Sequence, residues 1–313
     1  MMKMNDLNDI IIFLTKRNLK STQALEETIL KTYGYFLKRG FKVEILPLNY
    51  WDETISCKIS IGLGAYKPHS KRGVITGRII EHQKKQGNRH IVIDAGYIHK
   101  RSEYWSVGWD GLNGRADFQN KNSDDSRIKE WGIKLEPWRI NKNGSVLFCL
   151  QLPWDASVAN VDYARYTKET VNRILESTDR DVIIREHPLR NKGRSPSLSV
   201  SLKHKEVVDN LLKLKRVYRS KEKFIEDDFD KSWCVVAYNS NSTVEATMRG
   251  IPSFVADKGS MTWHISSQDL DIENPKMPDR KQWLYDISYA QWNHEEITSG
   301  IPFKRLGMEK YLF

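Results

Sequence analysis

Two short apolar runs, 233–238 and 253–256, constrain the fold of this chain more than any other part of its sequence. Between them lie a polar cluster at 239–243, a helical pattern that carries one acid, Glu245, and a Gly-Ile-Pro break at 250–252. Short apolar runs bounded by turn residues are typical of buried strands, so the order predicts strand, polar turn, helix, tight turn and strand. The segment is therefore expected to belong to an open α/β sheet.

The polar turn is a candidate ligand site. It falls where the carboxyl end of a strand meets the amino end of a helix, which is where open α/β sheets bind ligands. Backbone N–H groups and the helix dipole favour a phosphate there, and the acid in the helix could reach ribose hydroxyls. The candidate residues are Asn239, Ser240, Asn241, Ser242, Thr243 and Glu245. The alternative is helix capping, because Asn and Ser are common N-caps and Glu245 lies near the N3 position of a capping box.

A second strand end lies about one α/β unit earlier in the chain, in the segment DVIIREHPLR at 181–190. Pro188 stops this strand, so Arg185 and His187 are presented at its tip. Neighbouring tips of a parallel sheet face one crevice, which makes both side chains candidate ligands of the same phosphate group. The alternative for His187 is a structural role. Lys258, just past the last strand, is a further phosphate candidate, and a solvated surface lysine is its alternative.

The R-x-H-P strand end and the N-S-x-S-T-x-E-A-x-x-x-G-x-P turn together resemble the donor-nucleotide half of GT-B-type glycosyltransferases. The resemblance is closest to the branch that includes capsule sugar transferases and bacteriophage DNA-base sugar transferases, and it covers residues 146–255. It implies two Rossmann-like α/β domains with a deep cleft between them, and an enzyme that uses a UDP-sugar as donor. The residues that it implies for donor binding are Arg185, His187, Asn239 to Thr243, Glu245 and Lys258.

The N-terminal half repeats the α/β pattern, with strands expected at 10–14, 43–48, 59–63 and 90–95. Helical patterns separate most of these runs, which predicts a small parallel α/β domain. We therefore expect an acceptor-binding domain at 1–143, whose last part, 100–143, is irregular and aromatic, and a donor-binding domain at 144–313. The resemblance also implies that a C-terminal tail, at 301–313, could cross back to the first domain.

Inverting sugar transfer needs a catalytic base that takes the proton of the acceptor hydroxyl. We expect this base in the N-terminal half, because that half is expected to bind the acceptor. Asp94 stands at the carboxyl end of a predicted strand, and Gly96 permits a sharp turn that lets the carboxylate project from the sheet. It is the first choice because a strand end is a more rigid platform than a loop. The rivals are Asp110, Asp117 and His99, and the alternative for Asp94 is a helix cap.

Aromatic and basic side chains alternate after this strand. The rings are those of Tyr104, Trp105, Trp109 and Phe118, which interleave with Arg101 and Arg115. Flat rings beside guanidinium groups can stack on a flipped or unpaired base. The candidate acceptor-binding residues are Tyr97, His99, Arg101, Trp105, Trp109 and Arg115. The alternative is that the rings form the packed interior of a loop subdomain.

A net charge of +10 indicates a polyanionic partner, and the basic residues cluster in the N-terminal half. With the resemblance, this favours double-stranded DNA carrying a hydroxymethylated pyrimidine as acceptor, and glucose or arabinose as the transferred sugar. Two alternatives stay open. One is transfer to a capsule or other surface glycan, and the other is a non-catalytic DNA-binding protein.

The three cysteines are widely spaced and match neither a zinc site nor a disulfide framework, so we expect them to be reduced and buried. The acids lack the D-x-D context that metal-dependent sugar transferases use, and we expect no obligatory metal or other cofactor. No apolar run has the length of a membrane span, and the N-terminus lacks a secretory signal core. We expect a cytoplasmic monomer that does not contact a membrane, located in the host cell if it is phage-encoded.

Overall fold

The computed structural model describes residues 8–14, 20–99 (backbone only for 20–26), 103–189 and 197–312. The chain divides into two compact units. Unit 1 contains Met1–Arg127 and Tyr285–Phe313, and unit 2 contains Ile128–Leu284.

The strands of the described ranges are β1 (Asn8–Leu14), β2 (Val43–Pro47), β3 (Cys57–Leu63), β4 (Arg89–Ala95), β5 (Tyr104–Trp109), β6 (Ser145–Cys149), β7 (Val182–Arg185), β8 (Val217–Arg219), β9 (Ser232–Ala237), β10 (Ser253–Val255) and β11 (Gln291–Asn293). The α-helices there are α1 (Lys20–Leu37), α2 (Lys71–Lys85), α3 (Ser126–Glu130), α4 (Tyr163–Ser177), α5 (Leu198–Leu211), α6 (Ile225–Lys231), α7 (Ser242–Met248), α8 (Lys281–Ser288), α9 (His294–Thr298) and α10 (Ile301–Arg305).

Unit 1 is built on a six-stranded sheet in the order β2-β1-β3-β4-β5-β11. The first four strands are parallel, whereas β5 is antiparallel to both β4 and β11. Four consecutive apolar residues of β1, Ile10 to Phe13, are all buried because the sheet is covered on both faces. The sequence prediction of a buried parallel strand is confirmed here.

Unit 2 is built on a five-stranded, fully parallel sheet in the order β8-β7-β6-β9-β10. The chain runs outward from β6 through β7 to β8, and then returns to the other side of β6 to add β9 and β10. The strand order therefore reverses between β6 and β9, and this reversal is the switch point at which sheets of this type bind ligands. The predicted α/β class, with two mainly parallel sheets, is confirmed.

The segment between the predicted domains belongs to unit 2 from Ile128 onward, whereas the sequence placed the boundary after residue 143. Glu136 N donates to Met248 O at 3.0 Å, and Arg139 N donates to Gly250 O at 2.8 Å. A Cβ on Gly250 would lie 1.9 Å from the carbonyl oxygen of Pro137, so only glycine permits this approach. These two hydrogen bonds connect the segment to the last residue of α7 and to the loop that follows it. The hydrophobic periodicity of the sequence does not predict this pairing.

The C-terminal segment, Tyr285–Phe313, belongs to unit 1. Its strand β11 pairs with β5, and its apolar side chains Phe303, Leu306 and Leu312 are part of the unit 1 core. The Trp109 indole Nε1 donates to Leu306 O at 3.0 Å. The sheet and core of unit 1 are therefore completed by the end of the chain.

Cys57, Cys149 and Cys234 are free and buried, as the sequence predicted. Burial raises the pKa of the Cys57 and Cys149 thiols to about 12 and also raises that of Cys234. None of the helices in the described ranges combines the length and the apolar composition that crossing a membrane requires.

His90 on β4 is buried within unit 1. Its Nδ1 lies 2.6 Å from the hydroxyl of Ser60 on the neighbouring strand, and its Nε2 has no partner among the described residues. Burial lowers the pKa of His90 from 6.5 to about 3, because the charged form would lose its hydration. The imidazole is therefore neutral in the folded protein at neutral pH.

We expect His90 to make folding less favourable as the pH falls. Below pH 6.5 the unfolded chain binds a proton at this site that the folded protein does not bind, so stability is lost from pH 6.5 down toward pH 3. Between pH 7 and pH 5 the loss is about 2 kcal/mol. Urea unfolding of the wild type and of His90→Gln at both pH values measures it. If the free energy of unfolding depends equally on pH in the two proteins, the pKa of His90 is not lowered by burial.

Candidate functional site

A buried polar network lies at the carboxyl edge of the unit 2 sheet, at the switch point between β6 and β9. Gln151 follows β6, and its Nε2 donates to Asn239 Oδ1 at 2.8 Å, while Asn239 N donates to Gln151 Oε1 at 3.1 Å. Asn239 Nδ2 donates to Asp257 Oδ1, after β10, and to Ser157 O, each at 2.8 Å. The network thus connects the loops that leave three adjacent strands.

Of this network, sequence analysis identified only Asn239, which is 4% exposed. Gln151, Ser157 and Asp257 were missed. Their signal in the sequence is weak, because a polar residue shortly after a strand is common in any loop. What distinguishes Gln151 and Asn239 is that both carboxamides bond to each other across the switch point, and this pairing depends on strand order.

The predicted polar turn satisfies most of its own backbone groups. Ser240 Oγ accepts from Ser242 N at 3.3 Å, and Ser240 O accepts from Thr243 N at 3.1 Å. Asn241 O accepts from the N–H groups of Val244 and Glu245. The N–H groups from Ser242 to Glu245, which the sequence offered to a phosphate, are therefore bonded within the turn. What this edge presents instead is a set of partly exposed polar side chains, those of Ser240, Asn241 and Glu245.

Glu245 lies on the partly exposed side of α7. The N-cap of α7 is Asn241, so Val244 occupies N3 and Glu245 lies one residue beyond the position of a capping box. Its Oε1 accepts from Asn241 Nδ2 at 3.4 Å. The capping-box alternative therefore does not describe Glu245.

Arg185 lies at the tip of β7, where its guanidinium is bound within the protein. It forms an ion pair with Asp228 on α6, and the two side chains are 14% and 5% exposed. The same guanidinium donates to Glu222 O at 3.1 Å and to Lys223 O at 3.3 Å. Its charge is therefore neutralised by an internal carboxylate, a partner that sequence analysis did not anticipate.

The other two residues predicted to bind phosphate at this edge differ in exposure, since His187 is partly buried and Lys258 is exposed. His187 Nδ1 accepts from Leu189 N at 3.1 Å, which ties the imidazole to the turn after β7. Lys258 is exposed and follows Asp257, whose Oδ1 also accepts from Gly259 N at 2.8 Å. Lys258 is thus the exposed cation next to the buried network.

In unit 1, Asp94 lies at the carboxyl edge of the sheet beside the turn that leaves β3. A Cβ on Gly64 would lie 3.7 Å from Asp94 Oδ2, and Gly64, at φ +70°, donates its N–H to Ile93 O at 2.9 Å. Asp94 Oδ1 accepts from Ala95 N at 2.7 Å. The carboxylate is partly exposed, as a group that acts on a substrate must be.

The rival carboxylates are at the opposite edge of this sheet, where β4 begins and β5 ends. Asp110 forms an ion pair with Arg89 and accepts from His90 N at 2.8 Å. Asp117 bridges to Trp109 through backbone bonds and accepts from Gln119 N at 3.1 Å. Of the three aspartates, Asp94 is the one at the carboxyl edge.

The predicted aromatic acceptor residues do not form one surface. Trp109 is 1% exposed and packs in the unit 1 core, and Tyr97 is buried against Phe118. Trp105 is partly buried against the same core. The alternative of a packed interior therefore describes Trp109, whose ring was a candidate for stacking on a base. Tyr97, a candidate for acceptor binding, is buried as well.

The remaining acceptor candidates are separated along the chain. His99 follows β4 and has a positive φ of 41°, with its ring packed edge-on against Tyr104. Arg115 is exposed and lies beyond the end of β5, so it is not grouped with His99. Arg101 lies outside the described residues. No group of three or more His, Cys, Asp or Glu in the described part of the chain could hold a metal ion.

Comparisons with known proteins show the fold and no closer relationship. No protein-family model matches the sequence, and no curated protein matches it. Among solved structures, the chain is similar to KpsC, beta Kdo 2,4 transferase, of Thermosulfurimonas dismutans, with 11% identity and a TM-score of 0.58 over 95% of this chain and 99% of that one. It is also similar to KpsC, beta Kdo 2,7 transferase, of the same organism, with 12% identity and a TM-score of 0.52 over the same shares. The GT-B-like, Rossmann-type α/β fold is thus shared with these chains.

Replacing Arg185 should test whether its main role is structural. In Arg185→Met the Asp228 carboxylate stays buried without its cation, so we expect a loss of about 3 kcal/mol in the free energy of unfolding. Arg165→Met is the matched control, because its ion pair with Glu169 is exposed on α4 and should contribute little. Chemical denaturation of the three proteins measures the difference. A stability of Arg185→Met equal to that of the wild type would contradict the structural role.

Proposed function

We propose that this protein is a glycosyltransferase that binds a nucleotide sugar at the carboxyl edge of unit 2 and an acceptor at the carboxyl edge of unit 1. The single observation that carries the proposal is the polar network of Gln151, Asn239 and Asp257 at the switch point of a parallel sheet. Ligands of such sheets bind there. The similarity of fold to two Kdo transferases supports sugar transfer as the chemistry.

For the donor, the proposal assigns Glu245 to the ribose hydroxyls and Lys258 to the phosphates. A partly exposed carboxylate can accept hydrogen bonds from both hydroxyl groups of a ribose, and an exposed ammonium group can neutralise the leaving diphosphate. Ser240 and Asn241 add hydrogen-bonding groups beside them. The buried network beneath the turn supports this assignment, because a fixed site lowers the cost of ordering side chains around a ligand. A UDP-sugar is the proposed donor, with no obligatory cofactor.

For the reaction, the proposal assigns the general base to Asp94. The carboxylate accepts the proton of an acceptor hydroxyl as its oxygen forms a bond to the anomeric carbon of the sugar. The bond from that carbon to the donor phosphate breaks at the same time, and the nucleotide leaves with the electron pair. The configuration at the anomeric carbon is thereby inverted.

For the acceptor, we propose a negatively charged glycan. The net charge of +10 favours an anionic partner, and exposed cations such as Lys71 and Arg72 begin α2, which follows the carboxyl end of β3. The names of the two similar structures, both Kdo transferases, support a saccharide. Duplex DNA with a hydroxymethylated pyrimidine is the second candidate, which the same charge favours. Burial of Trp109, Tyr104 and Phe118 weakens that candidate, because these rings were candidates for stacking on the base.

Nucleotide binding tests the donor site. We expect at least one of UDP, GDP and CMP to raise the melting temperature of the full chain, because a ligand that binds only the folded state stabilises it. Glu245→Ala should reduce that shift while leaving the melting temperature of the free protein nearly unchanged. Glu206→Ala, which changes an exposed acid on α5, is the matched control and should keep the full shift. A shift of equal size in Glu245→Ala would contradict the role of Glu245.

Replacing Asp94 tests the base. We expect Asp94→Asn to lower the transfer rate by about 10²- to 10⁴-fold, because the amide cannot accept the proton, while nucleotide affinity is retained. The assay combines a panel of nucleotide sugars with acidic oligosaccharides and with hydroxymethylcytosine DNA, and mass spectrometry detects the adduct.

Asp117→Asn is the control for this assay, because Asp117 is a rival base at the other edge of the sheet. Loss of transfer in Asp117→Asn together with normal transfer in Asp94→Asn would mean that Asp117, and not Asp94, is the base. If sugar adducts form on DNA and on none of the oligosaccharides, the acceptor is DNA and the glycan proposal is wrong. If the wild type binds none of the nucleotides and forms no adduct, the proposed function is wrong.

A further inference from the structure

The backbone that follows Asp94 is bound by one side chain from the far end of the sequence. Gln291 on β11 is fully buried, and its Oε1 accepts from Tyr97 N at 2.6 Å and from Ile98 N at 2.9 Å. Its Nε2 donates to Ile98 O at 2.6 Å and to His99 O at 3.4 Å. One carboxamide therefore satisfies four backbone groups of an irregular loop that has no strand partner to bind them.

Only a carboxamide of this length can make this set of bonds, because one end must accept two N–H groups while the other donates to two carbonyls. The loop also approaches the amide very closely. A Cβ on Gly96 would lie 2.9 Å from Tyr104 O and 3.1 Å from Gln291 Oε1, so the turn between Asp94 and Tyr97 requires glycine. The sequence predicted a glycine turn at this position but did not identify Gln291.

Gln291 is itself held in place by its own backbone. It pairs with Ser106 of β5 in the edge of the unit 1 sheet, and its carbonyl accepts from Arg127 Nη2 at 2.9 Å. Arg127 also forms a partly buried ion pair with Glu296, which takes part in the capping box that starts α9. The amide is therefore presented to the loop from a rigid edge of the sheet.

We propose that Gln291 is a positioning residue for the acceptor site, which acts through the backbone of residues 95–99 on the orientation of Asp94. This inference rests on the proposed function, in which Asp94 is the base. Gln291 is fully buried, so we expect it to act through the loop without touching either substrate. Its loss should affect use of the acceptor and the reaction step, while nucleotide binding in unit 2 is retained.

A matched control exists at the other edge of the same sheet. Gln83 on α2 is also buried, and its Nε2 donates to Cys57 O at 3.1 Å and to Arg89 O at 3.2 Å, at the first residues of β3 and β4. Gln83→Leu removes a comparable buried amide from unit 1 without touching the Asp94 loop. A general loss of stability should therefore appear in both Gln291→Leu and Gln83→Leu. An effect on the position of Asp94 should appear only in Gln291→Leu.

Amide hydrogen exchange in the full chain tests the support of the loop without any assay of activity. In Gln291→Leu we expect exchange at Tyr97 and Ile98 to be at least about tenfold faster, since each amide loses its hydrogen-bond acceptor. In Gln83→Leu the two amides should exchange as in the wild type. Unchanged protection in Gln291→Leu, or an equal loss in both variants, would overturn the proposal.

The transfer assay tests the positional effect. We expect Gln291→Leu to lower kcat/KM for the acceptor by about tenfold or more, with the nucleotide-induced shift in melting temperature retained. Gln291→Glu adds a pH test. Its ionised carboxylate would face the carbonyls of Ile98 and His99, whereas its protonated form donates again, so transfer by Gln291→Glu relative to the wild type should recover as the pH falls.

The outcomes separate the two proposals. Faster exchange in Gln291→Leu together with normal acceptor kinetics would leave Gln291 a purely structural residue and overturn the positioning role. If the wild type transfers no sugar at all, the proposed function fails and the positioning role fails with it. The exchange data would then still show whether Gln291 supports the loop.

Discussion

Parallel pairing of β6 with both β7 and β9 is the constraint on which the geometry of unit 2 depends. Since β6 is the first strand of this sheet along the chain and later strands lie on both its sides, the chain must reverse its path across the sheet. The segments that follow β6 and β9 therefore leave the same edge side by side. Gln151 and Asn239 lie next to each other there and form two hydrogen bonds. Asn239 is the first residue of the turn at 239–243, so this pair fixes the start of the turn.

Buried carboxamides bind backbone groups at the edges of both sheets, in loops and at strand ends. Asn239 and Gln151 connect loops of unit 2, and Gln291 and Gln83 bind backbone groups at opposite edges of unit 1. A primary amide suits these positions because it both accepts and donates, so it can satisfy N–H and C=O groups that have no strand partner. Each is costly to bury alone, and its bonds in turn restrict the loop to one conformation.

The sequence predicted the candidate site where residues follow directly after a strand. It did not predict which distant residues bind the side chains of the site. Asp94 and the polar turn at 239–243 follow apolar runs, so their position at a carboxyl edge could be derived from local pattern. Arg185 also follows such a run, but its charge is taken up by Asp228, which lies in a helix much later in the chain. Trp109 was predicted to face a ligand, yet it packs against the C-terminal segment, whose position no local pattern reveals.

The sequence by itself determined the α/β class, the two sheets and the residues at the ends of their strands, because the alternation of apolar runs and polar turns reflects which faces are buried. The tertiary structure alone decided that the segment from Ile128 belongs to unit 2 and that the part of the chain which returns to unit 1 begins as early as Tyr285. It also decided that Gln291, near the end of the chain, binds the loop after Asp94. The physical reason is that a burial pattern records how much of a segment is covered, whereas hydrogen-bond and packing partners depend on which distant segment covers it.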